Sequence, residues 1–126
     1  MFSNMAVKNT NVRAYLRAIP SLPIVRQREM ATDAGCGVVY EYGEAGKKMD
    51  MRAQWCRAFR PGDIAWLPSL LVLVTPPAAR KPRSRPVSDM AAVIADVLAR
   101  GAIIVDGRTG ITSKDGSRWA NHVEWA

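Results

Sequence analysis

The sequence predicts an α/β fold: a central, mostly parallel sheet of about four to five strands, flanked by helices in three layers. Three observations carry this. Short runs with strand periodicity or β-branched composition alternate with longer helix-forming runs. Glycines follow two of the helical runs as stops, at Gly35 and Gly101. The resulting order, β-α-β-α-β-α-β with a terminal helix, requires crossover connections, and these give parallel neighbours with helices on the sheet faces.

The first strand is read at Asn11–Arg17 (NVRAYLR), where Val12, Ala14 and Leu16 fall on one side. Pro20 and Pro23 interrupt it, and Ile24–Ala34 is a helix of strong formers. Gly37–Tyr42 (GVVYEY) is β-branched and aromatic, hence a second strand. Asp50–Phe59 is a short helix with Met51, Trp55 and Phe59 at i, i+4 and i+8. The run Ile64–Val74 is apolar but split by Pro68, so either Ile64–Leu67 or Leu70–Val74 is the buried strand and the other half is connection. Residues 75–87 form a basic, proline-rich loop. Ser88 is the expected N-cap of a helix to Arg100, its stripe formed by Met90, Val93, Ile94 and Val97. Ala102–Val105 (AIIV) reads as a fully buried strand, and Ser117–Trp125 as a final helix.

The chain has 126 residues, 48% hydrophobic and 23% charged, which excludes wholesale disorder and fits one domain. Residues 1–10 are expected to be a flexible N-terminal segment and 11–126 the domain. No run approaches the ~20 apolar residues of a membrane span, and the N-terminus lacks the apolar core of an export signal. The expectation is a cytoplasmic protein without a membrane partner. Cys36 and Cys56 are too few for a disulfide scaffold and, with His122 the one histidine, too few for a zinc site. They read as small buried hydrophobes, and no cofactor or metal is expected.

The net charge of +7 favours a polyanion, chiefly nucleic acid. Loops after the carboxyl ends of parallel strands are the default site of this architecture, and they carry Ser21, Lys47, Lys48, Asp106 and Arg108. With Arg80, Lys81, Arg83 and Arg85 of the proline-rich loop, the lysines and Arg108 are the candidate nucleic-acid contacts. No GxGxxG or GxxxxGK[ST] motif is present. A Ser/His/Asp triad would have to use His122. Trp119, Val123 and Trp125 lie on a short terminal segment and are candidate interface residues for a homodimer or higher oligomer.

In order and spacing, residues 12 to 120 resemble the catalytic domain of the serine recombinases, the resolvase/invertase family. Tyr15-Leu16-Arg17 is similar to that family's Tyr-x-Arg on strand one. Gln27-Arg28-Glu29-Met30 and Ala34-Gly35-Cys36 resemble its first helix and the entry to strand two. Ala45-Gly46 stands where the family has Ser-Gly, and Arg60-Pro61-Gly62-Asp63 matches its turn before strand three. Ala99-Arg100-Gly101-Ala102, Thr109-Gly110-Ile111-Thr112 and Gly116-Ser117-Arg118 follow its later segments.

The resemblance implies a resolvase-like fold and a mobile-element or phage-type setting. It also implies a serine nucleophile two residues after the strand-one arginine, where this chain has Ile19. An isoleucine has no hydroxyl with which to attack a phosphodiester. The family's Asp-Arg-x-x-Arg cluster falls on Leu71, Val72 and Thr75, its acidic position after strand two on Tyr42, and its arginine after Asp50 is displaced to Arg52. No counterpart of the family's DNA-binding helix-turn-helix is expected. The expectation is therefore a non-catalytic module that binds itself, a recombinase-type partner or nucleic acid. The alternatives are a divergent recombinase or nickase using Ser21 with Arg17, Arg80 and Arg83, and a structural or assembly protein.

Overall fold

The computed structural model describes residues 9–42, 48–74 and 86–124. Strand β1 (Asn9–Leu16) is followed by helix α1 (Ile24–Asp33), strand β2 (Cys36–Glu41), helix α2 (Lys48–Arg57) and strand β3 (Ile64–Leu67). A 3-10 helix (Leu70–Leu73), helix α3 (Pro86–Ala99), strand β4 (Ile103–Asp106) and helix α4 (Ser117–Glu124) complete the order. The four strands form one sheet in the order β2-β1-β3-β4, all neighbours parallel. This is the α/β class that alternation of strand and helix predicts.

The period of two along β1 sorts its side chains between two cores. Val12, Ala14 and Leu16 join Ala31 of α1, Cys36 and Trp66 on one face. Tyr15 joins Trp55, Phe59, Ala65, Leu67 and the α3 stripe of Met90, Val93, Ile94 and Val97 on the other. The sheet is therefore the middle of three layers. Among the described residues α1 is the helix on the first face; α2 and α3 cover the second, and Trp119 and Val123 of α4 pack against it, partly buried.

Ile64–Leu67 is the buried strand of the split apolar run. Pro68 ends the ladder because it has no N–H to give. Ser69 then caps the 3-10 helix, its Oγ accepting from the Leu71 N–H at 3.2 Å. Gly101 holds φ +86, and a Cβ there would meet the Pro61 Cα at 2.9 Å, so the turn from α3 into β4 requires glycine.

Four details differ from the sequence reading. Strand β1 begins at Asn9, inside the segment expected to be flexible. Helix α3 begins at Pro86, with Ser88 inside it rather than at its cap; proline suits a first helical position, where its missing N–H costs nothing. Phe59 lies beyond the end of α2, yet stays in the core. Strand β4 is not fully buried: Ile103 and Val105 are half-buried, because α1 covers β1 and β2 and no described helix stands over β4 on that face. The outer edge of β4 is closed by the residues after it, through Asp106 N–H to Ile111 O, Ser113 N–H to Ile104 O and Ile104 N–H to Ser113 Oγ, each 2.9 Å.

Candidate functional site

Connections leave β1 toward β2 on one side and cross to β3 on the other, so the topological switch point lies between β1 and β3. Open parallel sheets bind ligands outside the carboxyl ends of such strands. Arg17 is the first residue past β1 at this point. Gln27, fully buried in α1, clamps the loop that follows. Its Oε1 accepts from the Arg17 N–H at 3.0 Å, and its Nε2 donates to the carbonyls of Arg17 (2.7 Å) and Leu22 (2.8 Å).

The Arg17 side chain turns inward. Nε donates to Val72 O at 3.1 Å and Nη2 to Leu71 O at 3.2 Å. Arg52 of α2 donates to Leu73 O at 3.0 Å. Two guanidiniums thus engage the carbonyls at the end of the 3-10 helix, where the negative end of its dipole lies; Leu71 O also accepts the Val74 N–H at 3.2 Å. Burial lowers the Arg17 pKa, with Tyr15 and Tyr42 opposing that shift. Burial also pushes the Tyr15 hydroxyl up to about 12, against the pull of Arg52 and Arg17. The stretch where the resemblance implies a phosphate clamp is thus held by arginines from elsewhere, through its backbone.

Ile19 is buried in the larger core. Paired N–H to O bonds between Ile19 and Leu22 close a tight turn, with Pro20 and Ser21 exposed at its tip. Arg17 and Ser21 therefore do not converge: the guanidinium is engaged on carbonyls of the core side, and the hydroxyl stands on the surface.

A second polar centre was legible only as separate residues. Asp106, at the end of β4, is 2% exposed, and its Oδ2 lies 2.6 Å from His122 Nε2 on α4. Its Oδ1 accepts from the N–H groups of Arg108 (2.9 Å) and Thr109 (3.3 Å). The histidine-carboxylate half of a triad exists here, but among the described residues no hydroxyl or thiol hydrogen-bonds to His122. The pair ties α4 to the sheet edge. Its sixteen-residue separation gave no periodic signal.

Of the candidate nucleic-acid contacts, Arg108 is exposed in the loop after β4, and Lys48 is the first residue of α2. Lys47, Arg80, Lys81, Arg83 and Arg85 lie outside the described residues, as does Trp125. Trp119 and Val123 use part of their apolar surface on the chain's own core. Cys36 and Cys56 are buried free thiols, both pushed up to about 11 by burial, so they are poor nucleophiles. Among the described residues no group of three or more His, Cys, Asp or Glu is placed to hold a metal ion, and no helix is long and apolar enough to cross a membrane.

Among the grooves lined by described residues, two flank the sheet. One, of about 400 Å³, lies between α2 and α3 and is lined by Arg52, Arg57, Arg100, Asp96 and Cys56. The other, of about 500 Å³, runs along α1 beside β3 and the loop after β4, and carries Arg26, Asp33, Trp66 and Arg108. No protein-family model matches the chain, and no curated protein matches it.

Proposed function

We propose that the chain is a non-catalytic binding module on a resolvase-like scaffold, with nucleic acid as its first partner and a mobile-element or phage-type setting. One observation carries the loss of chemistry. The arginine that a strand-cutting relative would aim at the scissile phosphate is engaged on Leu71 and Val72 carbonyls, beside a buried isoleucine where the nucleophile would stand. A phosphate approaching Arg17 would have to displace backbone bonds that the 3-10 helix needs, and no hydroxyl would meet it there.

The polyanion reading is supported by the net charge of +7, by the exposed Arg108 in the loop after β4, and by the basic residues the sequence carries at 47–48 and 80–85. Binding of this kind neutralises phosphates and releases counterions, so it is sequence-tolerant and weakens with salt, with a log–log slope of about −0.9 per phosphate contacted on duplex DNA. A mobility-shift titration of labelled single- and double-stranded oligonucleotides at two salt concentrations tests it. Retardation at low salt that fades at high salt is expected. No retardation at low salt contradicts it.

A further inference from the structure

The groove along α1 is built differently from the rest of the basic surface. Arg26, Met30 and Asp33 stand at i, i+4 and i+7, a single stripe of the helix. Opposite them are Trp66 from β3 and Arg108 from the loop after β4, with Leu22 at the carboxyl edge. The groove therefore opens next to the switch point, and its volume of about 500 Å³ suits a small organic ligand.

Two further observations point to an occupant. Trp66 is 5% exposed, yet its indole N–H donates to no group among the described residues, whereas the Trp55 N–H is bonded to Arg13 O at 3.0 Å. That N–H is not one of the enclosed polar atoms lacking a partner, which among the described residues are Arg13 Nε and Arg100 Nε, so solvent reaches it and it is available to donate to an occupant of the groove. The charges on α1 also run against its own field. The first turn holds no acid and the last turn no base, with Arg26 near the positive end and Asp33 at the negative end. Arg26 is paired with Glu29 at 3.3 Å on the exposed helix surface and keeps further guanidinium N–H groups, while Asp33 has no ion pair among the described residues; a ligand anionic at one end and rich in donors at the other would engage both.

We propose that this groove binds one nucleotide unit. The phosphate lies between the guanidiniums of Arg26 and Arg108, the strongest anion-recognising groups a protein has. The base lies against Met30 and Leu22 with a ring or carbonyl acceptor toward the Trp66 N–H, and an amine or hydroxyl reaches Asp33. Gly107 keeps the wall in place: a Cβ there would meet Trp66 Cζ2 at 2.3 Å. This names a site for the nucleic-acid reading above and rests on it for the choice of ligand. The unit can come from a free mononucleotide or from the end of a single strand.

Calorimetric titration of the full chain with adenosine 5′-monophosphate, adenosine, inorganic phosphate and a 5′-phosphorylated single strand tests it. The monophosphate should bind at least about tenfold more tightly than either fragment. Arg108→Ala should weaken it by about tenfold or more, the loss of a charge-assisted bond, and Trp66→Phe, which keeps the ring and deletes the N–H, by several-fold. Arg118→Ala, on exposed α4, should leave it unchanged. A single strand that binds more tightly than the free nucleotide identifies the strand end as the source; the reverse identifies the mononucleotide. Equal affinity for monophosphate and inorganic phosphate, or an Arg108→Ala chain that binds as the parent does, overturns the inference. If oligonucleotides are still retarded in that case, the groove assignment fails while the binding module stands.

Discussion

Trp55 of α2 and Trp66 of β3 lie on opposite faces of one sheet, and their surroundings differ in kind. Trp55 is fully buried, its ring 5.7 Å from Tyr15 and edge-on to Phe59 at 5.1 Å, with its N–H on the Arg13 carbonyl. Two helices and part of a third cover that face. Trp66 has one helix beside it, half-buried Ile64 and Val105 as neighbours, and an N–H with no acceptor among the described residues. The first face is closed by packing and hydrogen bonding together. Among the described residues no helix covers the second over β3 and β4, because one ten-residue helix cannot span four strands. Where a sheet is sealed it supplies stability; where its helix layer is incomplete it has room for a ligand.

The largest expected effect lies on the sealed face. Trp55→Ala should cost about 3–5 kcal/mol, by lost burial and the cavity left behind, a large share of the roughly 5–15 kcal/mol that holds a domain together. The midpoint of urea unfolding reports it. Gln27→Ala should cost about 2–3 kcal/mol, because a fully buried amide holding the loop after β1 is lost and backbone groups of Arg17 and Leu22 lose their partners. The same midpoint checks that figure, and a change under ~0.5 kcal/mol would show that the loop is held by other means.

Alkaline pH should also act on buried groups. Cys36 and Cys56 rise from 9.0 to about 11 and Tyr15 from 10.0 to about 12, each chiefly through burial. The folded chain keeps these protons longer than the unfolded chain does. Their contribution is complete below pH 9 and is lost as pH climbs through the folded values. Urea midpoints should therefore be flat just below pH 9 and fall steadily above it; a rise there would reverse the sign of the argument.

The smallest effect has the opposite sign. Asp33→Lys, which breaks no ion pair among the described residues, sets a base at the negative end of α1 and should stabilise the chain by about 0.3–1 kcal/mol, while nucleotide binding in the open groove weakens. Stability and binding moving in opposite directions would separate the two faces cleanly. Parallel loss of both would show that the α1 charges serve the fold.

The architecture was legible because its signals are local. The alternation in Asn11–Arg17, the helix formers of Ile24–Ala34 and the stripe on α3 each report a period that burial on one face imposes. Pro68 left two candidates for β3, and only the sheet register, which pairs Ile64 with Val12 and Ile103, decides between them. The half-burial of Ile103 and Val105 was not legible, since an apolar run does not tell whether a helix will stand over it. Arg17 and Ile19 stood out by position, but the partners of Arg17 lie 54 and 55 residues away and are backbone carbonyls, which no residue pattern advertises. The Asp106–His122 pair and the Gln27 clamp escaped for the same reason: one polar contact across a tertiary gap carries no periodicity.

The most direct test incubates the full chain with labelled supercoiled and single-stranded DNA, denatures the mixture and resolves it on a gel. With Arg17 engaged internally and Ile19 in the core, the account predicts free, uncut DNA from the same samples that show retardation under native conditions. A covalent DNA–protein band that disappears in Ser21→Ala would contradict it, by showing that a working nucleophile and a phosphate clamp assemble after all.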